Sequence, residues 1–179
     1  LTPDYQSHHI PTVKFSVSKP LPDNASYEKT NVEIPKLMDN ATPMQALNFV
    51  REFNSACETL SWTTGAQRFE KMKMLLEGEY KTKFLNYMTT NSSQSIATFN
   101  SAVQDILSCF FESSVDYEDH LEYLRTSINK PGPTTPKEFA NQLEMANSYL
   151  KLIPGAPAEG AGLSDAEIKC IYLKAMPRS

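Results

Sequence analysis

The side chains best suited to chemistry in this chain are its histidines and the carboxylates beside one of them. His8 and His9 are adjacent near the N-terminus, and His120 lies within the acidic stretch "YEDHLEY". A histidine beside a carboxylate can transfer protons near neutral pH, and neighbouring imidazoles can hold a metal ion. Adjacent histidines in a polar segment are usually solvated, however, and acidic residues at a helix start are favoured by the helix dipole alone. The sequence therefore predicts no catalytic residue, no metal site and no cofactor site.

The remaining motifs and the composition argue against an enzyme and against a membrane protein. The sequence contains no Gly-rich phosphate loop, no G-x-S-x-G and no H-E-x-x-H. No apolar run approaches the roughly 20 residues of a membrane-spanning helix. The net charge of −4 lacks the basic surplus of a nucleic-acid-binding domain. Cys57, Cys109 and Cys170 fall in apolar helical patterns, which predicts buried, reduced thiols in a cytosolic protein.

The elements that position these residues change in character along the chain. Residues 1–35 are interrupted by prolines, and "TVKFSVS" alternates apolar and polar side chains, so we expect an extended arm with one strand or a hairpin. From Thr42 onward the apolar period is helical, and capping boxes begin at Thr42, Thr64, Thr135 and Ser164. The period assigns Phe69, Met72, Leu75 and Leu76 to the helix that begins at Thr64. Short connections between helices are typical of bundles. The sequence predicts an all-α fold of two small helical lobes behind the arm.

The order of these features resembles the capsid region of Gag polyproteins from long-terminal-repeat retrotransposons. The first matching stretch is "FVREFNSACETLSWTTGAQRFEKMKMLLEGEYKTKFLNYM", although Glu79 and Tyr80 depart from the usual pattern at its end. The second is "HLEYLRTSINKPGPTTPKEFANQLEMANSYLKLIPG" followed by "LSDAEIKCIYLKAMPRS", where Glu138, Phe139 and Leu143 fit the helix of the second lobe. The resemblance implies a retroviral-capsid-like N-terminal lobe over residues 36–113 and a C-terminal lobe over residues 114–179.

The resemblance also implies a function. It implies a structural Gag capsid protein that self-assembles into a virus-like shell packaging the RNA of its element. The partner would be the chain itself, as a cytoplasmic homo-oligomer, and RNA would bind mainly through a downstream region outside this sequence. Neither a membrane nor a small-molecule substrate is implied. One alternative stays open, in which a domesticated Gag-like adaptor binds peptides or partner proteins in a helical groove.

The residues expected to make contacts between copies lie in the arm, the first helix and the last helix. They are Val13, Phe15, Val17, Gln45, Asn48, Glu52, Ile171 and Met176. In the resembling Gags, a Met-Pro step such as Met176-Pro177 precedes at least one more helix. We therefore expect the C-terminal lobe to be truncated here, with apolar surface near Ile171 and Met176 left for a neighbouring chain.

Overall fold

The structure, a computed structural model, describes residues 10–23, 25–111, 113–130, 132–157 and 159–176. These residues form a β-hairpin followed by seven helices. The strands are β1 (Thr12–Pro20) and β2 (Tyr27–Pro35), and the helices are α1 (Pro43–Thr59), α2 (Gly65–Met72), α3 (Gly78–Thr90), α4 (Ile96–Leu107), α5 (Ser113–Thr126), α6 (Pro136–Leu150) and α7 (Asp165–Ala175). The chain divides into two compact units, one ending at Ile106 and the other beginning at Leu107. The division predicted from the sequence, an arm over residues 1–35 and capsid-like lobes over 36–113 and 114–179, stays a prediction.

The predicted all-α fold class was wrong, because the hairpin makes this a mixed α/β fold with 54% helix and 12% strand. The strands pair antiparallel in one continuous register, from Thr12 opposite Pro35 to Pro20 opposite Tyr27. Pro20 and Pro35 lie at strand ends, where a missing N–H group disturbs no internal ladder bond. The prolines of residues 1–35 indicate an extended arm when the sequence is considered alone. In the structure, pairing between β1 and β2 satisfies the backbone groups of this region.

Capping boxes fix the starts of α1, α2, α6 and α7. At α1, the Gln45 N–H donates to Thr42 Oγ1 at 3.2 Å, and the Thr42 N–H donates to Gln45 Oε1 at 2.9 Å. The helix ends were predicted less well. Leu75 and Leu76, which the apolar period assigned to the second helix, lie beyond the end of α2.

Aromatic rings form the core of the unit that ends at Ile106. Phe53 of α1 stacks on Phe99 of α4 with 5.7 Å between ring centroids, and Phe99 meets Phe84 of α3 edge-on at 6.1 Å. Phe84 lies 5.5 Å from Phe69 of α2. These four side chains are buried. These four rings therefore hold the helices together and are not displayed on a surface where bases could stack.

The unit that begins at Leu107 is organised around one buried polar side chain. Asn147 of α6 donates from Nδ2 to the Leu163 carbonyl at 3.0 Å and accepts the Leu163 N–H on Oδ1 at 2.6 Å. The neighbouring Gly162 N–H donates to the Tyr117 hydroxyl at 2.8 Å. Phe139 of α6 stacks on Tyr172 of α7 with 6.2 Å between ring centroids. The loop before α7 is thus tied to both α5 and α6 by hydrogen bonds.

The prediction of three buried cysteines was wrong for two of them. Cys57 on α1 is buried, whereas Cys109 and Cys170 are exposed. Cys109 lies after the end of α4, at Leu107, so the helical period that placed it inward does not reach it. Cys170 precedes the buried Ile171 on α7, but the turn of about 100° between consecutive helical residues directs it away from the core.

Candidate functional site

The hairpin residues predicted to contact another copy mostly pack within their own unit. Phe15 is buried, and its ring meets Trp62 edge-on with 5.0 Å between centroids. The Lys71 ammonium lies 5.9 Å from the Phe15 ring centroid and 5.8 Å from that of Trp62, within the range of cation–π attraction. Val13 and Val17 are half-buried on the same strand face. Phe15 therefore anchors the hairpin to the helices and leaves little of its ring for a partner.

The segment after β2 is held against the turn between α2 and α3. Leu37 donates its N–H to the Leu75 carbonyl at 2.8 Å, and the Glu77 N–H donates to the Leu37 carbonyl at 3.2 Å. Lys36 Nζ lies 2.7 Å from Glu77 Oε1. The hydrogen bond and the positive charge of Lys36 lower the pKa of the Glu77 carboxyl. This crossing fixes the path of the chain from the hairpin into α1.

Beside this crossing, the start of α1 borders a groove of about 440 Å³, which we call the α1 groove. Its buried apolar lining, Leu37 and Phe49, forms the floor, and the exposed side-chain amides of Asn40 and Gln45 lie at the rim. The residues that line it are Ile10, Pro11, Pro35, Lys36, Leu37, Met38, Asn40, Ala41, Thr42, Gln45, Asn48 and Phe49. Two residues predicted for self-association, Gln45 and Asn48, therefore lie in one groove. Such a lining suits an extended peptide, whose backbone can bond to amides while its apolar side chains meet the floor.

The third predicted residue on α1 lies next to this groove. Glu52 Oε1 accepts a hydrogen bond from Asn48 Nδ2 at 3.2 Å, one helical turn away. Gln45 is exposed but its side chain closes the capping box of α1. Sequence reasoning did not select Lys36, Leu37 or Met38, although the apolar pair Leu37 and Met38 shortly after Pro35 indicated a segment that packs.

On α7 the two predicted residues are less exposed than one that was not selected. Ile171 is buried and Met176 is half-buried, whereas Leu173 is 59% exposed. Pro177 lies outside the described residues. A second groove of about 360 Å³ separates α6 from α7 and is lined by charged as well as apolar side chains. Leu173 is therefore the apolar side chain of α7 that is most available to a partner.

Within the described part of the chain, the residues singled out for acid–base or metal chemistry are not assembled into a site. His120 is exposed on α5, and its Nδ1 lies 2.6 Å from the Asp116 carbonyl oxygen, which can only accept a hydrogen bond. Among the residues that the structure describes, no cluster of His, Cys, Asp and Glu could hold a metal ion. His8 and His9 lie outside those residues.

A search of the described helices finds none that is long and apolar enough to span a membrane. Comparison of the chain with protein-family models, with curated proteins and with solved structures finds no match.

Proposed function

We propose that this chain is a structural protein of the Gag capsid kind, which self-assembles into virus-like shells around the RNA of a retroelement. One observation carries the proposal. Each of the two stretches that resemble Gag capsids falls within one compact unit, the first before Ile106 and the second after Leu107. A chain with one capsid-like lobe in each unit would present two separate surfaces to neighbouring copies, as closed shells require.

The exposed side chains supply a surface for such contacts. Leu173 on α7 and Met145 on α6, 59% and 43% exposed, lie on helices of the same unit, so their apolar side chains are available to a neighbouring copy. Many copies of a weak contact give a stable assembly because each further contact within a shell is effectively intramolecular. RNA would be held mainly by a region outside this sequence, which is in keeping with the net charge of −4.

Electron microscopy of the purified chain tests this proposal directly. We expect shells or tubes when protein concentration and salt are raised. Leu173→Ser should reduce assembly, whereas Lys174→Ser, an exposed change at the next position of α7, should not. A chain that stays monomeric under all these conditions would contradict the proposal.

The α1 groove favours a second candidate function, that of an adaptor which binds an extended peptide. The apolar floor and amide rim of the groove carry this alternative. Ala41→Arg would place a long side chain in the groove, and Ala97→Arg is a matched change at an exposed position of α4. If fluorescence anisotropy with a peptide library finds ligands that only Ala41→Arg abolishes, and no shells form, the adaptor function is supported over the capsid function.

A further inference from the structure

The sheet of this protein ends at β1 on one side and at β2 on the other. Among the described residues the sheet has only these two strands, so each strand has an outer edge that no other strand covers. Both strands are nine residues long and pair without a bulge. A regular edge of this length offers a row of backbone donors and acceptors to another strand.

The hydrogen bonds that flank the ladder show which backbone groups point outward. Leu21 donates its N–H to the Ser26 carbonyl at 3.0 Å, and Lys36 donates its N–H to the Pro11 carbonyl at 2.8 Å. In an antiparallel pair, hydrogen-bonded and non-hydrogen-bonded residue pairs alternate. The two flanking bonds join hydrogen-bonded pairs. Alternation from either of them along the register makes Asn31 and its partner Ser16 a non-hydrogen-bonded pair.

The outward-facing backbone groups of β2 therefore belong to every second residue. These residues are Tyr27, Lys29, Asn31, Glu33 and Pro35, and Pro35 has no N–H to offer. All of them but the half-buried Pro35 are exposed, and Tyr27 is 69% exposed. The residues between them, which include the buried Ile34, face the opposite side of the sheet, and α1 packs against β2. The outer edge of β2 is thus open along most of its length.

This edge is complementary to itself. If β2 pairs antiparallel with a second β2 about a two-fold axis at Asn31, the outward-facing residues face each other, as a hydrogen-bonded register requires. Lys29 then lies opposite Glu33 of the second copy on both sides of the axis. The equivalent pairing of β1 about Ser16 sets Lys14 opposite Ser18 and gains no charge pair. Opposite charges across strands stabilise a sheet, so β2 is the favoured edge.

We propose that the outer edge of β2 binds the same edge of a second copy, giving one continuous antiparallel sheet centred on Asn31. The interface is isologous, so it closes after one pairing and leaves the two β1 edges outermost. Within the sheet, Glu33 lies between Lys14 of its own hairpin and Lys29 of the second copy. The inference rests on the proposed self-assembly, because it supplies one of the contacts that a shell would repeat.

Amide hydrogen exchange as a function of protein concentration tests the edge itself. As copies associate, the N–H groups of Lys29, Asn31 and Glu33 should become protected, while those of Lys14 and Ser16 stay in fast exchange. Protection at neither strand, in a sample shown to be associated, would overturn the proposal.

Two sets of variants test the same edge by sedimentation velocity. Asn31→Pro removes an outward N–H and should weaken dimerisation at least about tenfold without removing a hairpin bond. Ser16→Pro, at its cross-strand partner, is the matched control and should leave dimerisation unchanged.

Lys29→Glu and Glu33→Lys should each weaken their own dimers about tenfold. A mixture of the two should restore dimers, because opposite charges then meet on both sides of the axis.

Electron microscopy of the same samples separates this inference from the proposed function. Shells that form equally well with Asn31→Pro, or a wild-type chain that is monomeric in sedimentation, would overturn the β2 interface. The first result leaves the capsid function standing. Dimerisation that is lost in Asn31→Pro but kept in Ser16→Pro supports the interface, even if the wild-type chain forms no shells.

Discussion

At the scale of single residues, Asn147 shows what sequence reasoning could have reached and did not. It occupies an inward position in the period of α6, between the buried Leu143 and Leu150. A polar residue at such a position must find hydrogen-bond partners, which signals a fixed contact. The partner, the backbone of Leu163, could not be named beforehand because it lies on a loop whose path depends on the tertiary fold.

Gly162 makes the contact of Asn147 testable. Its φ of +76° is strained for any other L-residue, and a Cβ there would lie 2.5 Å from Asn147 Oδ1. We expect Gly162→Ala to lower the free energy of unfolding by about 2–4 kcal/mol, through backbone strain and through crowding of the buried amide. Gly160 has a similar φ of +69°, but a Cβ there would meet nothing within 4 Å, so Gly160→Ala should cost about 1 kcal/mol. Equal losses in urea titrations of the two variants would contradict the role assigned to Asn147.

The cysteines give a second prediction at this scale. Burial raises the pKa of the Cys57 thiol to about 11, so almost none of it is thiolate near pH 8. We expect maleimide to label the exposed Cys109 and Cys170 within minutes and Cys57 only after denaturant is added. Mass spectrometry of labelled peptides measures this. If Cys57 in the native protein is labelled as fast as Cys170, the packing around α1 must open readily.

At the scale of elements, the sequence specified where helices begin better than where they end. Thr42, Thr64, Thr135 and Ser164 each carry a local signal, because the cap and its partner lie three residues apart. Helix ends depend on what the next segment packs against, so Leu75 and Leu76 were misassigned. Strand β2 was expected only as the second half of a hairpin, without bounds, for a similar reason. Its charged residues face solvent, and only pairing with β1 fixes it as a strand.

The capping boxes differ in one respect that predicts a response to acid. The boxes of α1 and α2 use Gln45 and Gln67, whereas those of α6 and α7 use Glu138 and Glu167. Hydrogen bonds from the Thr135 and Ser164 N–H groups lower the pKa of these two carboxyls in the folded protein. A lowered pKa stabilises the fold above the ordinary value of 4.5, and this contribution is lost as the pH falls through the folded-state value.

As the pH falls from neutral to below 4.5, we therefore expect the starts of α6 and α7 to fray while those of α1 and α2 do not. Amide exchange at Thr135 and Ser164, corrected for intrinsic rates, should accelerate relative to that at Thr42 and Thr64. The double variant Glu138→Gln, Glu167→Gln keeps the hydrogen-bond acceptors and should remove the difference. If it fails to do so, the acid sensitivity has another source.

At the scale of the whole molecule, composition and the order of motifs predicted an all-α chain behind an extended arm with one strand or a hairpin, whereas the structure begins with a regular sheet of two nine-residue strands. The Gag resemblance directed attention to helix surfaces, while the hairpin was treated as an arm. The residues predicted for self-association were selected because the sequence pattern indicates that they are apolar or exposed. Phe15 is one of them, and its ring already packs against Trp62 within its own unit.

Net charge gives a prediction for assembly as a whole. Each copy carries a charge of −4, so copies repel one another at low salt. Raising the salt from about 0.1 M to about 1 M shortens the Debye length from about 10 Å to about 3 Å. We expect light scattering to report faster and more extensive assembly at the higher concentration. Assembly that weakens steadily with salt would mean that attractive charge pairs dominate between copies.

The contact between Phe15 and Trp62 also gives the protein an optical reporter. Trp62 is the single tryptophan of the chain, is only 7% exposed, and receives the hairpin ring at 5.0 Å. Its emission wavelength and quenching by iodide therefore report whether the sheet is seated on the helices. Release of the hairpin would uncover the indole and shift its emission to the red. Shell formation can thus be followed by scattering while the fluorescence of the same sample records the state of the hairpin.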